Sequence, residues 1–196
     1  MVEPGTDEAL EQQLGFMFEF ATPGWSARCA AIWTDFLRRS AWETLAEAPA
    51  LVEAPDVSLV SHVRATWAIS RAVAEVAQTE CGLSCDMEAL RAIAALHDVS
   101  KLVEYEPAPE GARLSSIGRT YPHAVLAGTA AAEAGFPELV VNVILEHPYH
   151  PPHVHVVPKS LERIVFHYGD QAAIDTILYD RGVGTHLEFR RFFAVP

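Results

Sequence analysis

The chain has 196 residues, half of them hydrophobic and a fifth charged, a length and balance that fit one globular domain with a sizeable core. A formal net charge of −12 argues against a general surface for nucleic-acid polymers or anionic membranes, both of which demand clustered Lys and Arg. It leaves room for a small anionic substrate, because bound metal and a few local cations can reverse the field inside a cleft. Cys29, Cys81 and Cys85, at irregular spacing, imply no disulfide framework. With no leader-like start and no apolar run near ~20 residues, the expectation is a cytoplasmic protein that does not span a membrane.

Residues 1–8 read as a frayed tail. The stretch to about Ala48 carries helical patterns broken at Thr22-Pro23-Gly24, with Phe16, Phe18, Phe20, Ile32, Trp33 and Phe36 as apolar anchors. A turn at Glu53-Ala54-Pro55-Asp56 follows, and Asp56 is a suitable N-cap for a helix to about Thr79. His62, Ile69, Val73 and Val76 form one stripe of that helix, and Val57, Val60, Val63 and Trp67 another. Two apolar stripes predict burial on most sides, with His62 pointing inward. The next helix spans roughly Asp86 to Tyr105, and places Leu90, Ile93, Ala94, His97 and Lys101 on one face beside Asp98.

Residues 106–119, with Pro107, Pro109, Gly111 and Gly118, read as a surface loop. Pro122 then opens a helix at its preferred first position, running to Ala134. Gly135-Phe136-Pro137 ends it and starts a second helix through Val140, Val141, Ile144 and Leu145 to His147. Two antiparallel helices of similar length return the chain to its starting end, so His123 and His147 are expected to meet. Pro148–Pro158 reads as a loop, and a last helix runs from about Lys159 to Asp180. No run of alternating strand residues stands out, and Val154–Val157 and Phe189–Val195 are too short to decide. The fold expected is an all-α bundle, with residues 1–50 a helical extension of the same compact unit and 51–196 the metal-binding helical domain.

The chemistry centres on Ala95-Leu96-His97-Asp98-Val99-Ser100-Lys101. An apolar helix rarely tolerates two adjacent ionisable side chains unless something binds them, and a divalent cation is the usual remedy. Outward from that pair lie His62, His123, His147 and Asp170, each on its own helical segment. Imidazole and carboxylate suit a hard or borderline divalent metal. Taken singly, His62 is more often a hydrogen-bonded core residue, His123 and His147 serve equally well as solvated caps, and Asp170 is uninformative. The ordered set is what points to a metal. His150, His153 and His155 form a second cluster whose prolines do not aim the rings at one point. His167 could orient Asp170 or simply pack, and His186 reads as surface.

The order His62, His97-Asp98, His123, His147, Asp170 resembles the HD-domain superfamily of metal-dependent phosphohydrolases. Leu96-His97-Asp98-Val99-Ser100-Lys101 is similar to the family's HDxxK segment, Ile144-Leu145-Glu146-His147 to the one carrying its later His, and Val165-Phe166-His167-Tyr168-Gly169-Asp170 to the one carrying its last Asp. The resemblance covers roughly residues 56–180 and assigns nothing before residue 50. It implies an HD-domain-like helical bundle, with His62, His97, Asp98 and Asp170 on one metal and His123 and His147 on a second that Asp98 bridges.

One or two divalent ions (iron, manganese, cobalt, nickel or zinc) are therefore expected. The activity expected is hydrolysis of a small phosphate ester, such as a nucleotide, by metal-activated hydroxide, with Asp98 and Lys101 catalytic. Lys101 is the first candidate to bind the anionic substrate, with Arg119 and Lys159 after it. The alternative is a di-iron oxygenase acting on a small molecule with dioxygen; a non-catalytic ligand-binding module is a third reading, and a homo-oligomer is compatible with all three.

Overall fold

Helices occupy most of the chain in the computed structural model, which describes residues 7–147, 160–182 and 184. The readings of residues 1–6, of 148–159 with His150, His153, His155 and Lys159, and of His186 and Phe189–Val195 lie outside the described residues. In chain order the elements are α1 (Asp7–Leu14) with a 3-10 turn at Gly15–Phe18, α2 (Trp25–Arg39), α3 (Leu59–Cys81), α4 (Met87–Leu96) and α5 (Lys101–Glu104). A hairpin of β1 (Tyr105–Ala108) and β2 (Gly111–Leu114) follows, then α6 (His123–Glu133), α7 (Glu138–Glu146) and α8 (Leu161–Asp180). The architecture is the expected helical bundle plus one small two-stranded sheet.

One apolar cluster joins the segment before residue 50 to the later helices. Leu10, Leu14, Met17, Trp33 and Phe36 pack with Leu90, Ile93, Leu96, Ile144 and Phe166. Full burial of side chains such as Leu10, Leu14 and Met17 stabilises by roughly 1.5–3 kcal/mol each. The Trp33 indole donates to the Ala95 carbonyl at 2.9 Å, tying α2 to α4. Phe16, Phe18 and Phe20 line the margin of this core, and Phe16 stacks on Trp67 with ring centroids 5.5 Å apart.

Several sequence expectations are corrected. The cap of α3 is Ser58, whose hydroxyl accepts from the Ser61 amide, while Asp56 lies two residues upstream and pairs with Arg181. On α3 the expected stripe of Val60, Val63 and Trp67 is buried and His62 points inward, but burial is confined to one face, completed by Leu59, Thr66, Ser70 and Ala74, and Val76 is 58 % exposed. Small polar Thr66 and Ser70 carry the second half of that face, which hydropathy alone passes over. The helix of the His-Asp pair ends at Leu96 rather than Tyr105. Past Leu96 the chain tightens, with Val99 N donating to Leu96 O at 3.2 Å and Lys101 N to Asp98 O at 2.9 Å, one residue short of α-helical spacing.

Residues 106–119 are not all loop: Tyr105 pairs with Leu114 and Ala108 with Gly111, around a turn holding Pro109. Strands of four residues are too short to show a period, although the turn chemistry was present. Pro122 stands at the cap of α6, one residue before the position expected.

Two helix pairs carry the later site residues. The pair α3 and α8 crosses closely at Ser70 and Gly169, where a Cβ on the glycine would lie 2.9 Å from the Ser70 amide nitrogen. The pair α6 and α7 crosses at Gly128, where a Cβ would meet Leu145 at 2.6 Å. No helix among the described residues is long and apolar enough to cross a membrane.

Candidate metal centre

The six metal-type side chains reach the centre from five segments, His97 and Asp98 sharing one. His62 sits in the first turn of α3 and is 1 % exposed; Asp170 lies mid-way along α8, directly after the close-packed Gly169. His97 and His147 are the C-caps of α4 and α7, Asp98 follows His97, and His123 is the first residue of α6. The hairpin of α6 and α7 brings the His123 and His147 Nε2 atoms to 3.1 Å, as the similar helix lengths required.

The six residues form two groups, His62 with His97 and Asp170, and Asp98 with His123 and His147, the ligand atoms of each group lying within 4.8 Å of one another. Asp98 joins them. Its Oδ2 lies 3.2 Å from His62 Nε2 and 3.3 Å from His97 Nε2. Its Oδ1 lies 3.4 Å from both His123 Nε2 and His147 Nε2. Asp170 Oδ1 closes the first group at 3.2 Å from His62 and 3.5 Å from His97.

The donor chemistry fits bound cations. A backbone carbonyl can only accept, so His147 Nδ1, 2.6 Å from the Ile144 oxygen, carries the ring proton. Burial, with the His123 imidazole beside it, lowers the His147 pKa to about 4, so Nε2 is a bare acceptor. That acceptor faces a second one, Asp98 Oδ1, which is buried without a hydrogen-bond partner among the described residues. Two acceptors converging on one buried volume are a pair that a cation between them would satisfy. His97 Nδ1 is anchored in the same way, 3.0 Å from the Ala94 carbonyl, which aims its Nε2 at the other group.

Without metal, charge in the first group is balanced by protons and by Lys101. Burial pushes the Asp98 carboxyl up, but Lys101 and His97 outweigh it and hold the group well below its ordinary value. Burial is likewise overcome at Asp170, by His62 and His97. The His97 imidazole goes the opposite way: burial pulls it down, and the two carboxylates more than reverse that.

Lys101 stands apart from the expectation placed on it. Its Nζ is buried, 2.8 Å from Asp98 Oδ2 and donating to the Ala50 carbonyl at 3.0 Å. It neutralises Asp98 instead of presenting a free cation to an incoming anion. Arg119 is exposed and donates to the Leu114 carbonyl at 2.6 Å, outside the buried cluster. Asp170 is paired with His62 and His97, while the His167 ring packs edge-on against Tyr168. A surface cleft bordered by Glu11, Phe16, Arg64 and Trp67 is lined by none of the six candidate side chains.

Sequence reasoning missed the Ala50 carbonyl, Ser100, Glu104 and Gly169. A backbone acceptor leaves no side-chain signal. Glycine in a helix interior, disfavoured by about 1 kcal/mol against alanine, was the one readable sign, since such a residue needs a packing reason.

No curated protein and no solved structure matched the chain. The family model described as HD domain matches residues 59–172, more than half of the chain, and spans all six candidate side chains. The geometry of the six side chains and this match agree, and the chain belongs to the HD-domain family.

Proposed function

We propose that this protein is a metal-dependent hydrolase of a small phosphate ester, a nucleotide or another phosphomonoester or diester, built around a dinuclear site. The observation that carries the reading is the division of Asp98, one carboxylate oxygen facing His62 and His97 and the other facing His123 and His147. When bound there, two divalent ions supply Lewis acidity toward phosphoryl oxygens and a water whose pKa is near neutral.

The chain's own residues set up that chemistry. His97 and His147 are locked in rotation by carbonyls of their own helices, so their Nε2 atoms need no reorganisation to bind. Lys101 compensates Asp98 in the metal-free protein and fixes its carboxylate plane through the Ala50 carbonyl. A net charge of −12 leaves the attraction of an anionic substrate to the site's own cations.

The test is phosphate release from a panel of nucleotides and simple phosphate esters, with manganese, cobalt or nickel added to chelator-stripped protein and Asp98→Ala as control. Metal-dependent release abolished by Asp98→Ala is the expected result. Iron-dependent oxygen uptake with no phosphate release would overturn the hydrolase reading in favour of an oxygenase. Metal binding with neither activity would leave a ligand-binding module.

A further inference from the structure

His123 differs from the other two helix-terminal histidines in a way that topology dictates. His97 and His147 end their helices, where the carbonyl three residues back has no amide partner and takes the Nδ1 proton. His123 begins its helix, so no such carbonyl exists behind it, and its cap, Pro122, makes no side-chain hydrogen bond. Its side chain is 19 % exposed, against 4 % for His147. It needs an acceptor from elsewhere.

Two residues just downstream of the His-Asp pair meet that need. The Ser100 hydroxyl, fully buried, donates to the His123 carbonyl at 2.6 Å. Glu104 Oε1 lies 3.4 Å from His123 Nδ1, the nitrogen opposite the one facing Asp98. Glu104 is itself buried, and its Oε2 has no hydrogen-bond partner among the described residues. A buried carboxylate is retained at such a cost where it faces a group that carries or acquires positive charge. The hairpin holds it in place: Ser115 N donates to the Glu104 carbonyl at 2.8 Å, and a Cβ at Gly118 would lie 2.9 Å from Glu104 Cγ.

We propose that Glu104 and Ser100 are positioning residues for His123 and thereby set the affinity of the second metal position, the one made by Asp98, His123 and His147. Glu104 keeps the ring proton on Nδ1 and turns Nε2 toward the metal; Ser100 fixes the backbone from which the ring projects. The inference rests on the dinuclear reading above. It adds that His123, unlike His97 and His147, takes its support from outside its own helix, from the segment Ser100–Glu104.

The experiment is a manganese titration, followed by calorimetry and elemental analysis, of chelator-stripped wild type, Glu104→Ala, Glu104→Gln and Ser100→Ala. Long-range proton–nitrogen spectra of the zinc-loaded proteins report which His123 nitrogen carries the proton. The expected result is an unchanged first equivalent, a second equivalent weakened roughly 10–100-fold in Glu104→Ala, and a smaller loss in Glu104→Gln, which keeps an acceptor oxygen. Ser100→Ala should weaken the second equivalent as well, and the Nδ1 proton signal should be lost in Glu104→Ala. A second equivalent unchanged in Glu104→Ala, or both equivalents weakened together, overturns the proposal and leaves the dinuclear site standing. Wild type that binds no metal removes the dinuclear reading itself, and this inference with it.

Discussion

Substituting Gly169 by alanine tests how closely two helices must meet for the site to exist. The new Cβ would lie 2.9 Å from the Ser70 amide nitrogen, whereas ordinary contact begins at 3.4 Å. The Ser70 hydroxyl can rotate away, but a backbone nitrogen cannot, so α8 must retreat from α3 by about 0.5 Å. Asp170 is the next residue on α8 and His62 lies on the same face of α3, so their 3.2 Å approach widens directly. Metal–ligand distances tolerate only about ±0.2 Å. The metal shared by His62, His97 and Asp170 should therefore bind roughly 10–100-fold more weakly, the range that loss of ligand support produces elsewhere. Overpacking costs about 1–3 kcal/mol, and the better helix propensity of alanine offsets about 1 kcal/mol of it. The variant should fold, with its metal-free melting temperature lowered modestly. A competition titration against a chelating dye, beside thermal unfolding, separates the two effects. A folded Gly169→Ala with wild-type affinity at every metal position would refute the reasoning. Gly128→Ala is the milder comparison, because there the Cβ meets the Leu145 side chain, which can repack.

Asp98→Ala removes the one carboxylate common to both groups and should abolish metal binding and phosphate release together, with the far-ultraviolet helical signal retained; surviving activity would refute its assignment. Lys101→Met leaves the buried Asp98 charge uncompensated and should destabilise the metal-free protein by about 3–5 kcal/mol. Added metal should recover much of that loss, so the metal-induced rise in melting temperature should exceed that of wild type; an equal rise would contradict the counter-charge role. Metal affinity should increase with pH: after burial and the opposing Asp98 and Asp170 carboxylates, His97 sits at about 10, so a cation must displace its proton throughout the range below that. Calorimetry in buffers of differing ionisation enthalpy should detect the proton released, and pH-independent affinity would contradict the account. In the metal-free protein the raised His97 contributes stability fully present below its ordinary 6.5 and lost as pH rises through about 10. The lowered Asp98 and Asp170 contribute stability present above 3.8 and lost on acidification below it. Unfolding of that form followed against pH should show both losses.

Much of the site was legible because its signal is long-range order. Six side chains of ligand type, on segments with clear helical periods, survive errors of several residues in helix ends. The approach of His123 and His147 followed from two helix lengths alone. What escaped was local. Leu96 ends its helix through 3-10 hydrogen bonds that hydropathy does not register. The Tyr105–Leu114 hairpin is too short for a period of two to emerge. Val76 counted toward a buried stripe, yet the packed row runs through Thr66 and Ser70, where smallness matters and apolarity does not. Lys101 lay on the expected face beside Asp98, but its second partner is the backbone oxygen of Ala50, and no residue type announces that. Glu104 was passed over because the need it meets arises only from His123 standing at the start of a helix.

The most direct test is an anomalous-difference map from crystals of the stripped protein soaked in manganese. It should show a pair of peaks flanking Asp98, one bonded to His62, His97 and Asp170 and the other to His123 and His147. A single peak, or none within bonding distance of Asp98, would contradict the bridged site from which the proposed chemistry follows.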